Sequence, residues 1–333
     1  MSLLLIHAVG CQGRDSKVYP AVGSIERLDP RMDKLVPPGA VLEKIGDGMA
    51  WSEGPVWFGE GGYLLFSDIP RNRIDTWKAG EISVFLNPSG YTDATPRGGE
   101  LGSNGLTRDH QGRLVSCEHG DRRVARLETD GSKTTLAGRY HGKRFNSPND
   151  LVYKSNGDLY FTDPIYGLEL REKDPKRQLD FSGVYRLSTD GRLTCIINDL
   201  SYPNGIAFSP DEKTLYVSVS DPKRAVWMAY DVQPDGSVAN GRVFFDATSL
   251  TAGRKGLPDG MKVDRDGNIF GAGPGGILVL SPKGEHLGTI QTGQPTSNCA
   301  WGEDGTVLYI TANMNLCRIK LSTKGTPPGQ SRG

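Results

Sequence analysis

The sequence predicts an all-β fold: a six-bladed β-propeller of four-stranded antiparallel blades with a central metal site. Three observations carry this. An oxygen-bearing residue, usually followed by glycine and then an apolar run, recurs at Glu53, Asn104, Asn149, Asn204, Asp259 and Asn298. The spacings are roughly 40 to 55 residues, which matches propeller blades. Hairpin signals fall at matching places within the repeats, at Gln111-Gly112, Asn156-Gly157, Asp266-Gly267 and Asp304-Gly305, and again at Asp130-Gly131, Asp190-Gly191 and Asp235-Gly236. Finally, 44 glycines and 21 prolines in 333 residues fit a chain that turns often.

The elements follow in chain order. Residues 1–37 read as a leader. Its first stretch, Ser2 to Gly10, is mostly apolar, and Cys11 follows Ala8-Val9-Gly10. That resembles a truncated lipoprotein signal, but it lacks a basic n-region and a leucine three before the cysteine. Two readings stand: an exported, periplasmic protein lipidated at Cys11, or a cytoplasmic one with a disordered leader. No apolar run approaches the ~20 residues that a membrane-spanning helix needs. Residues 38–322 form the propeller. Val41 to Ile45 read as a spare strand that completes the last blade, where only three strands precede the tail; closure of this kind removes sheet edges. Blade three shows the pattern best, with strands at Leu151 to Tyr153, Leu159 to Thr162, Gly183 to Leu187 and Leu193 to Ile197. Residues 323–333, rich in Gly, Pro, Ser and Lys, read as a disordered tail.

The 39 basic and 39 acidic residues cancel, with no block of one sign, which argues against a nucleic-acid partner. Five cysteines without a CxxC pair argue against a thiolate metal site and a disulfide framework. Cys117, Cys195, Cys299 and Cys317 read as small strand residues facing the interior.

Each innermost strand starts at its repeated polar residue, so these residues converge at one end of the channel. The long polar loops Asn87 to Ser103 and Asp163 to Phe181 decorate the same end and read as walls or lids. Glu53, Asn149, Asn204 and Asp259 are the best ligand candidates. They offer only carboxylate and carboxamide oxygens, which hard cations select, and two carboxylates neutralise a divalent ion. A zinc site is expected to bring His or Cys. The competing explanation is turn chemistry, because Asn and Asp bond their own backbone at such places. Glu53 argues against it, since Glu is a poor turn residue. Asn104 and Asn298 occupy the same position in the other two blades, where a contact behind the ligands or to substrate and turn chemistry both stay open. His119, Asp163 and Tyr166 return to the level of the ring, His119 either as a substrate contact or as a loop cap. There is no G-x-S-x-G elbow and no H-E-x-x-H.

These residues resemble the gluconolactonase family, also called the SMP-30/regucalcin-like family. The resemblance spans about residues 40 to 321. It rests on Trp51-Ser-Glu-Gly-Pro-Val-Trp57, Cys117-Glu-His-Gly120, Asn146-Ser-Pro-Asn-Asp150, Phe161-Thr-Asp-Pro164, Tyr202-Pro-Asn-Gly-Ile-Ala-Phe-Ser-Pro210, Pro258-Asp-Gly-Met261 and Gly273-Pro-Gly-Gly-Ile277. It implies a six-bladed propeller, a divalent cation in the channel and hydrolysis of a sugar-acid lactone. It places the metal ligands at Glu53, Asn149, Asn204 and Asp259 and makes Asp259 the general base. The cation is expected to be Ca²⁺, with Mg²⁺, Mn²⁺ and Zn²⁺ as alternatives. Hydroxyls of the lactone are then expected to meet Asn104, His119, Asp163 and Tyr166. Two positions before Asn149, where the regucalcin branch has a basic residue, this chain has Ser147. Two other functions stay open: a calcium propeller that cleaves phosphotriesters, and a non-catalytic binding platform. The expected partner is a small molecule, and the protein a monomer or dimer.

Overall fold

The computed structural model describes residues 17–326. Its blades are antiparallel sheets, each built in chain order from the channel outward. Blade one comprises Ser52–Phe58, Tyr63–Asp68, Arg73–Lys78 and Glu81–Leu86. Blade two comprises Ser103–Arg108, Leu114–Glu118, Arg123–Leu127 and Lys133–Ala137. Blade three has Leu151–Tyr153, Leu159–Asp163, Gly183–Leu187 and Leu193–Ile197, within one residue of the sequence reading. Blade four has Pro203–Phe208, Thr214–Asp221, Arg224–Val232 and Val238–Asp246. Blade five has Met261–Val263, Ile269–Gly273, Gly276–Leu280 and His286–Gln291. Blade six has Asn298–Gly302, Val307–Ala312 and Asn315–Lys320.

The ring closes as expected. Glu43–Gly46 pairs with Asn315–Lys320 and becomes the outer strand of blade six. The first and last parts of the chain therefore share one sheet.

Local chemistry sets the hairpins. The signalled glycines 112, 131, 157, 191, 236, 267 and 305 all have φ between +80° and +93°. The residue immediately before each of these glycines, however, is not left-handed. In the outer hairpin of blade three, Ser188 pairs with Arg192 across Thr189-Asp190-Gly191. This is a three-residue loop, a type I turn closed by a left-handed glycine, rather than a two-residue mirror-image turn. Asp190 Oδ1 accepts the Arg192 N–H at 3.1 Å, and Asp130, Asp235 and Asp304 make the same bond. That local bond holds the aspartate right-handed and leaves the positive φ to glycine.

The core is divided into six apolar clusters, one at each junction between adjacent blades. Trp57, Leu64 and Phe66 of blade one meet Tyr309 and Leu316 of blade six. Val115 and Cys117 of blade two meet Phe161 and Tyr185 of blade three, and Trp227 of blade four meets Ile269 and Leu278 of blade five. Cys117, Cys299 and Cys317 are buried in these junctions, while Cys195, on an outer strand, is half-buried.

Both chain ends depart from expectation. Residues 17–37 are folded, not leader. Ser24–Arg27 adds a fifth strand to the outer edge of blade five, in register with Gln291 to Gly288. Met32, Leu35 and Val36 then fill the junction between blades five and six. The apolar residues Ile25, Met32, Leu35 and Val36 were the available signal, but they are too few to show a period. The tail is described as far as residue 326. Thr323 donates to Asp264, and Gly325 bridges to Asp264 beside Trp301. Residues 327–333 and Cys11, with the signal reading attached to it, lie outside the described residues. No described helix is long and apolar enough to cross a membrane.

Candidate active site at the channel mouth

Four ring residues are held through their backbones by the neighbouring blade, Asn149 by the Gly105 N–H at 2.7 Å. Second-strand hydroxyls reach across the junction: Ser67 Oγ donates to the Asn104 carbonyl at 2.8 Å, Thr162 Oγ1 to Asn204 at 2.7 Å, and Ser218 Oγ to Asp259 at 2.8 Å. The glycine of the repeat exists because the blades approach so closely there. A Cβ on Gly205 would lie 2.2 Å from the Asp259 carbonyl oxygen. One on Gly260 would lie 1.9 Å from the Asn298 carboxamide. The glycine thus answers a steric demand of the ring, which is why it recurs with the polar residue before it.

The side chains are buried and directed. Glu53 is 3% exposed, and its Oε2 accepts the Gly54 N–H at 2.7 Å and Asn298 Nδ2–H at 3.3 Å. Asp259 Oδ1 accepts the Gly260 N–H at 3.0 Å. The second oxygens, Glu53 Oε1 and Asp259 Oδ2, take no hydrogen bond from the described residues, nor does the Asn149 carboxamide. Asn204 Nδ2 donates to Ser220 Oγ at 3.0 Å, which turns its Oδ1 the other way. Ser220 in turn donates to the Pro258 carbonyl, so one hydroxyl registers Asn204 against the segment that carries Asp259.

Asn298 faces oppositely. Its Oδ1 accepts the Cys299 N–H at 2.8 Å and Lys262 Nζ at 3.4 Å, while its Nδ2 donates to Glu53 and, at 3.5 Å, to Asp150 Oδ2. An amide that presents N–H groups to carboxylates is not a cation ligand. Turn chemistry and a contact to the ligands or to substrate were both open for this residue; its observed role is to hold two acids in place.

The electrostatics are strongly unbalanced. Burial, and then the Asp150 charge, push Glu53 up to about 8 against the pull of the Gly54 N–H. Burial, then Glu53 and Asp150, push Asp259 well above the usual carboxylate range. Asp150 is raised by burial and pulled back by Lys262. Buried acids that raise one another need protons or a cation. Among the described residues no trio of His, Cys, Asp and Glu forms a metal cluster, so the candidate donor set is two carboxylates with two carboxamides. All four are oxygen donors with an oxygen free of protein donors, which fits a hard divalent ion.

The other candidates divide. Tyr166 lies over the mouth, hydrogen-bonded to Ser220, raised by burial, and within reach of the Asp259 charge. Its ring stacks on Tyr202 and under the Arg171 guanidinium. Asn104 is at the ring, with Nδ2 3.2 Å from His119 Nε2. His119 is fully buried behind it, with Nδ1 3.0 Å from Glu100 Oε2. Asp163, expected at the substrate, is fully buried and its two oxygens accept the Asn146 and Ser147 N–H groups at 2.8 and 2.7 Å. It therefore secures the turn that carries Asn149 and does not face the channel. Ser147 is buried too, bonded to Pro164 and Gly167.

Three charged residues escaped the sequence reading. Asp150 stands where most repeats have glycine, and that break in the repeat was its signal. Lys262, one turn of strand beyond Asp259, had no signal, and neither did Glu100 in a loop.

The sequence profile of the SMP-30/Gluconolactonase/LRE-like region matches residues 51–314. A gluconolactonase of Zymomonas mobilis is 41% identical over 313 residues, covering 91% of this chain and 88% of its own. A solved Xanthomonas campestris gluconolactonase superposes with a TM-score of 0.79 at 34% identity, over 92% of this chain and 99% of its own. A diisopropyl-fluorophosphatase of Loligo vulgaris is 26% identical over 263 residues, 73% of this chain and 79% of its own.

Proposed function

The chain belongs to the SMP-30/gluconolactonase/LRE-like family, and on that premise we propose that it opens the lactone ring of a sugar acid with water, assisted by a divalent cation at Glu53, Asn149, Asn204 and Asp259. It is a lactone hydrolase, an enzyme of the carboxylic-ester hydrolase type. The observation that carries the cation reading is the juxtaposition of two buried carboxylates, each raised by the other acids of the channel, with carboxamides whose carbonyl oxygens are free.

A bound cation, with Ca²⁺ the ion best matched to oxygen-only donors, would polarise the lactone carbonyl and stabilise the oxyanion. The protein supplies the rest. Asp259 is the acceptor for the proton of the attacking water; the Gly260 N–H holds its carboxylate, and Ser218 holds its backbone carbonyl. Glu53 and Asn298 keep the opposite side of the site negative and ordered. Tyr166 and Asn104 present hydroxyl and carboxamide groups to the sugar hydroxyls. The loops 87–102 and 164–182 interlock above, with Arg97 Nη1 bonded to the Gly167 carbonyl at 3.0 Å, and exclude bulk water. No covalent enzyme intermediate is needed.

The test is a pH-stat assay of D-glucono-δ-lactone on chelated protein, with Ca²⁺, Mg²⁺, Mn²⁺ or Zn²⁺ then restored. Loss on chelation and recovery with one ion supports the reading and identifies the ion. No turnover of any lactone with any ion overturns it. The likeness to a fluorophosphatase supports a second arm with a paraoxon-type ester, and faster phosphotriester turnover would transfer the same site to that chemistry.

A further inference from the structure

We propose that the outer part of blade two carries a second ligand site, separate from the channel, that binds the dianion of a soluble phosphate monoester. A cleft of about 550 Å³ opens there. Arg123 and Thr135 line it from the third and fourth strands of the blade, and Arg139 and Arg144 from the short ribbon that follows. Arg139 and Arg144 are direct cross-strand partners in that ribbon. Their side chains therefore leave the same face, an arrangement in which like charges repel. No carboxylate answers them, since neither forms an ion pair with a described residue. Arg139 Nη1 donates to the Gly142 carbonyl at 2.8 Å, and Arg144 Nη2 donates to the Asp121 carbonyl. A guanidinium has five N–H groups, and the remaining ones meet no acceptor among the described residues.

The neighbouring charges are already matched. Arg123 pairs with Glu118 at 2.6 Å and with Asp121 at 3.2 Å, and Lys133 pairs with Glu118 at 2.6 Å. Arg123 and Lys133 thus cancel Glu118 and Asp121, and Arg139 and Arg144 leave the cleft with two uncompensated positive charges. The excess is felt beneath it: burial, and then the Arg144 charge, pull the Arg122 guanidinium down to about 10. A phosphate monoester carries about −1.5 to −2 at pH 7, and its oxygens suit the guanidinium fork. A carboxylate would answer only one of the two charges. Thr135 Oγ1 accepts from Arg123 Nη1 at 3.1 Å, which leaves its own O–H to donate. The volume is that of a small-molecule pocket rather than of a bare ion, so the organic part of an ester is accommodated with its phosphate. Thr92 also lines the cleft, and its N–H and Oγ1–H bonds to Asp121, at 3.0 and 2.8 Å, tie the loop over the channel mouth to this site.

Two measurements on the full chain, kept free of metal by a chelator, test it. In the first, D-glucose 6-phosphate is titrated calorimetrically beside inorganic phosphate, D-glucose and D-gluconate. The ester is expected to bind, inorganic phosphate to bind more weakly, and glucose and gluconate not to bind. Arg139→Gln is expected to weaken the ester roughly tenfold or more, the size of one charge-assisted hydrogen bond. Arg144→Lys, which keeps the charge and loses the fork, is expected to weaken it by less. Thermal unfolding checks that both variants fold. No binding of either phosphate, or binding that both variants leave unchanged, overturns the site. Gluconate bound as tightly as the ester overturns the dianion, and inorganic phosphate bound as tightly overturns the ester. In the second, hydrogen exchange with and without the ester locates it. Protection is expected at residues 90–93 and 138–144, and protection confined to the strands that line the channel overturns the placement. Neither measurement uses turnover, so the outcome is independent of the lactone-hydrolase reading.

Discussion

At the residue scale, the ring is a set of oriented oxygens. Three of the four asparagines at equivalent positions are turned by their neighbours: Ser220 and His119 turn the carbonyls of Asn204 and Asn104 free, whereas Lys262 and the Cys299 N–H capture that of Asn298. Asp259→Asn is expected to lower kcat about 10³-fold, the usual worth of a general base, with the melting temperature preserved or raised because a buried acid is removed; steady-state kinetics with thermal unfolding checks both. Gly205→Ala is expected to cost ~2–3 kcal/mol, since the new Cβ meets a backbone oxygen that cannot give way; denaturant unfolding measures it. Asp150 was legible only as a break in the repeat, where most blades have glycine, and Glu100 in its loop carried no signal. An acid stands out when it breaks a turn rule, as Glu53 does, and neither of these does.

At the element scale, the blades were legible because a hairpin is local. The strand limits of blade three followed from Asn156-Gly157 and Asp190-Gly191 and the apolar runs beside them. Ser24–Arg27 was not legible, because its partner, His286–Gln291, is remote in sequence and the strand itself is short. The segment after it gives a direct discrimination between leader and fold. Met32 is fully buried between blades five and six, so Met32→Ala is expected to cost ~2–4 kcal/mol, whereas a leader residue would cost nothing. Denaturant titration of the full chain decides. The long loop after Asp163 is held by that residue rather than opened to substrate by it. Burial pushes the Asp163 carboxyl up to about 7 while two backbone N–H groups pull it back.

At the scale of the whole molecule, the channel acids make stability depend on pH, and on any cation that replaces their protons. Glu53 at about 8, Asp163 at about 7 and the strongly raised Asp259 all bind protons more tightly folded than unfolded. Their contribution is complete below the ordinary carboxylate range and is lost as pH rises through the folded values. Surface acids act in the opposite sense. Asp29 is lowered to about 2 by Arg31, so its small contribution is lost only as pH falls through that range. The chelated protein is therefore expected to be most stable near pH 5 and to lose melting temperature steadily to pH 8. A cation that replaces those protons should raise the melting temperature more at pH 8 than at pH 5. Thermal unfolding in chelator and in Ca²⁺ at the two pH values measures this, and an equal rise at both would remove the coupled acids as the binding site.

The sequence by itself determined the repeat, the number of blades, the strand that closes the ring and the polar residues that open the inner strands. These follow from periodicity and from residue types that have few alternative uses. Tertiary structure decided how each of those residues is turned. The sequence spells Asn104, Asn204 and Asn298 alike, and only neighbours from other strands turn one carboxamide to accept and another to donate. It also decided that Asp163 is a latch and that residues 17–37 belong to the body, because burial is a property of what packs against a residue and the partners here are distant along the chain.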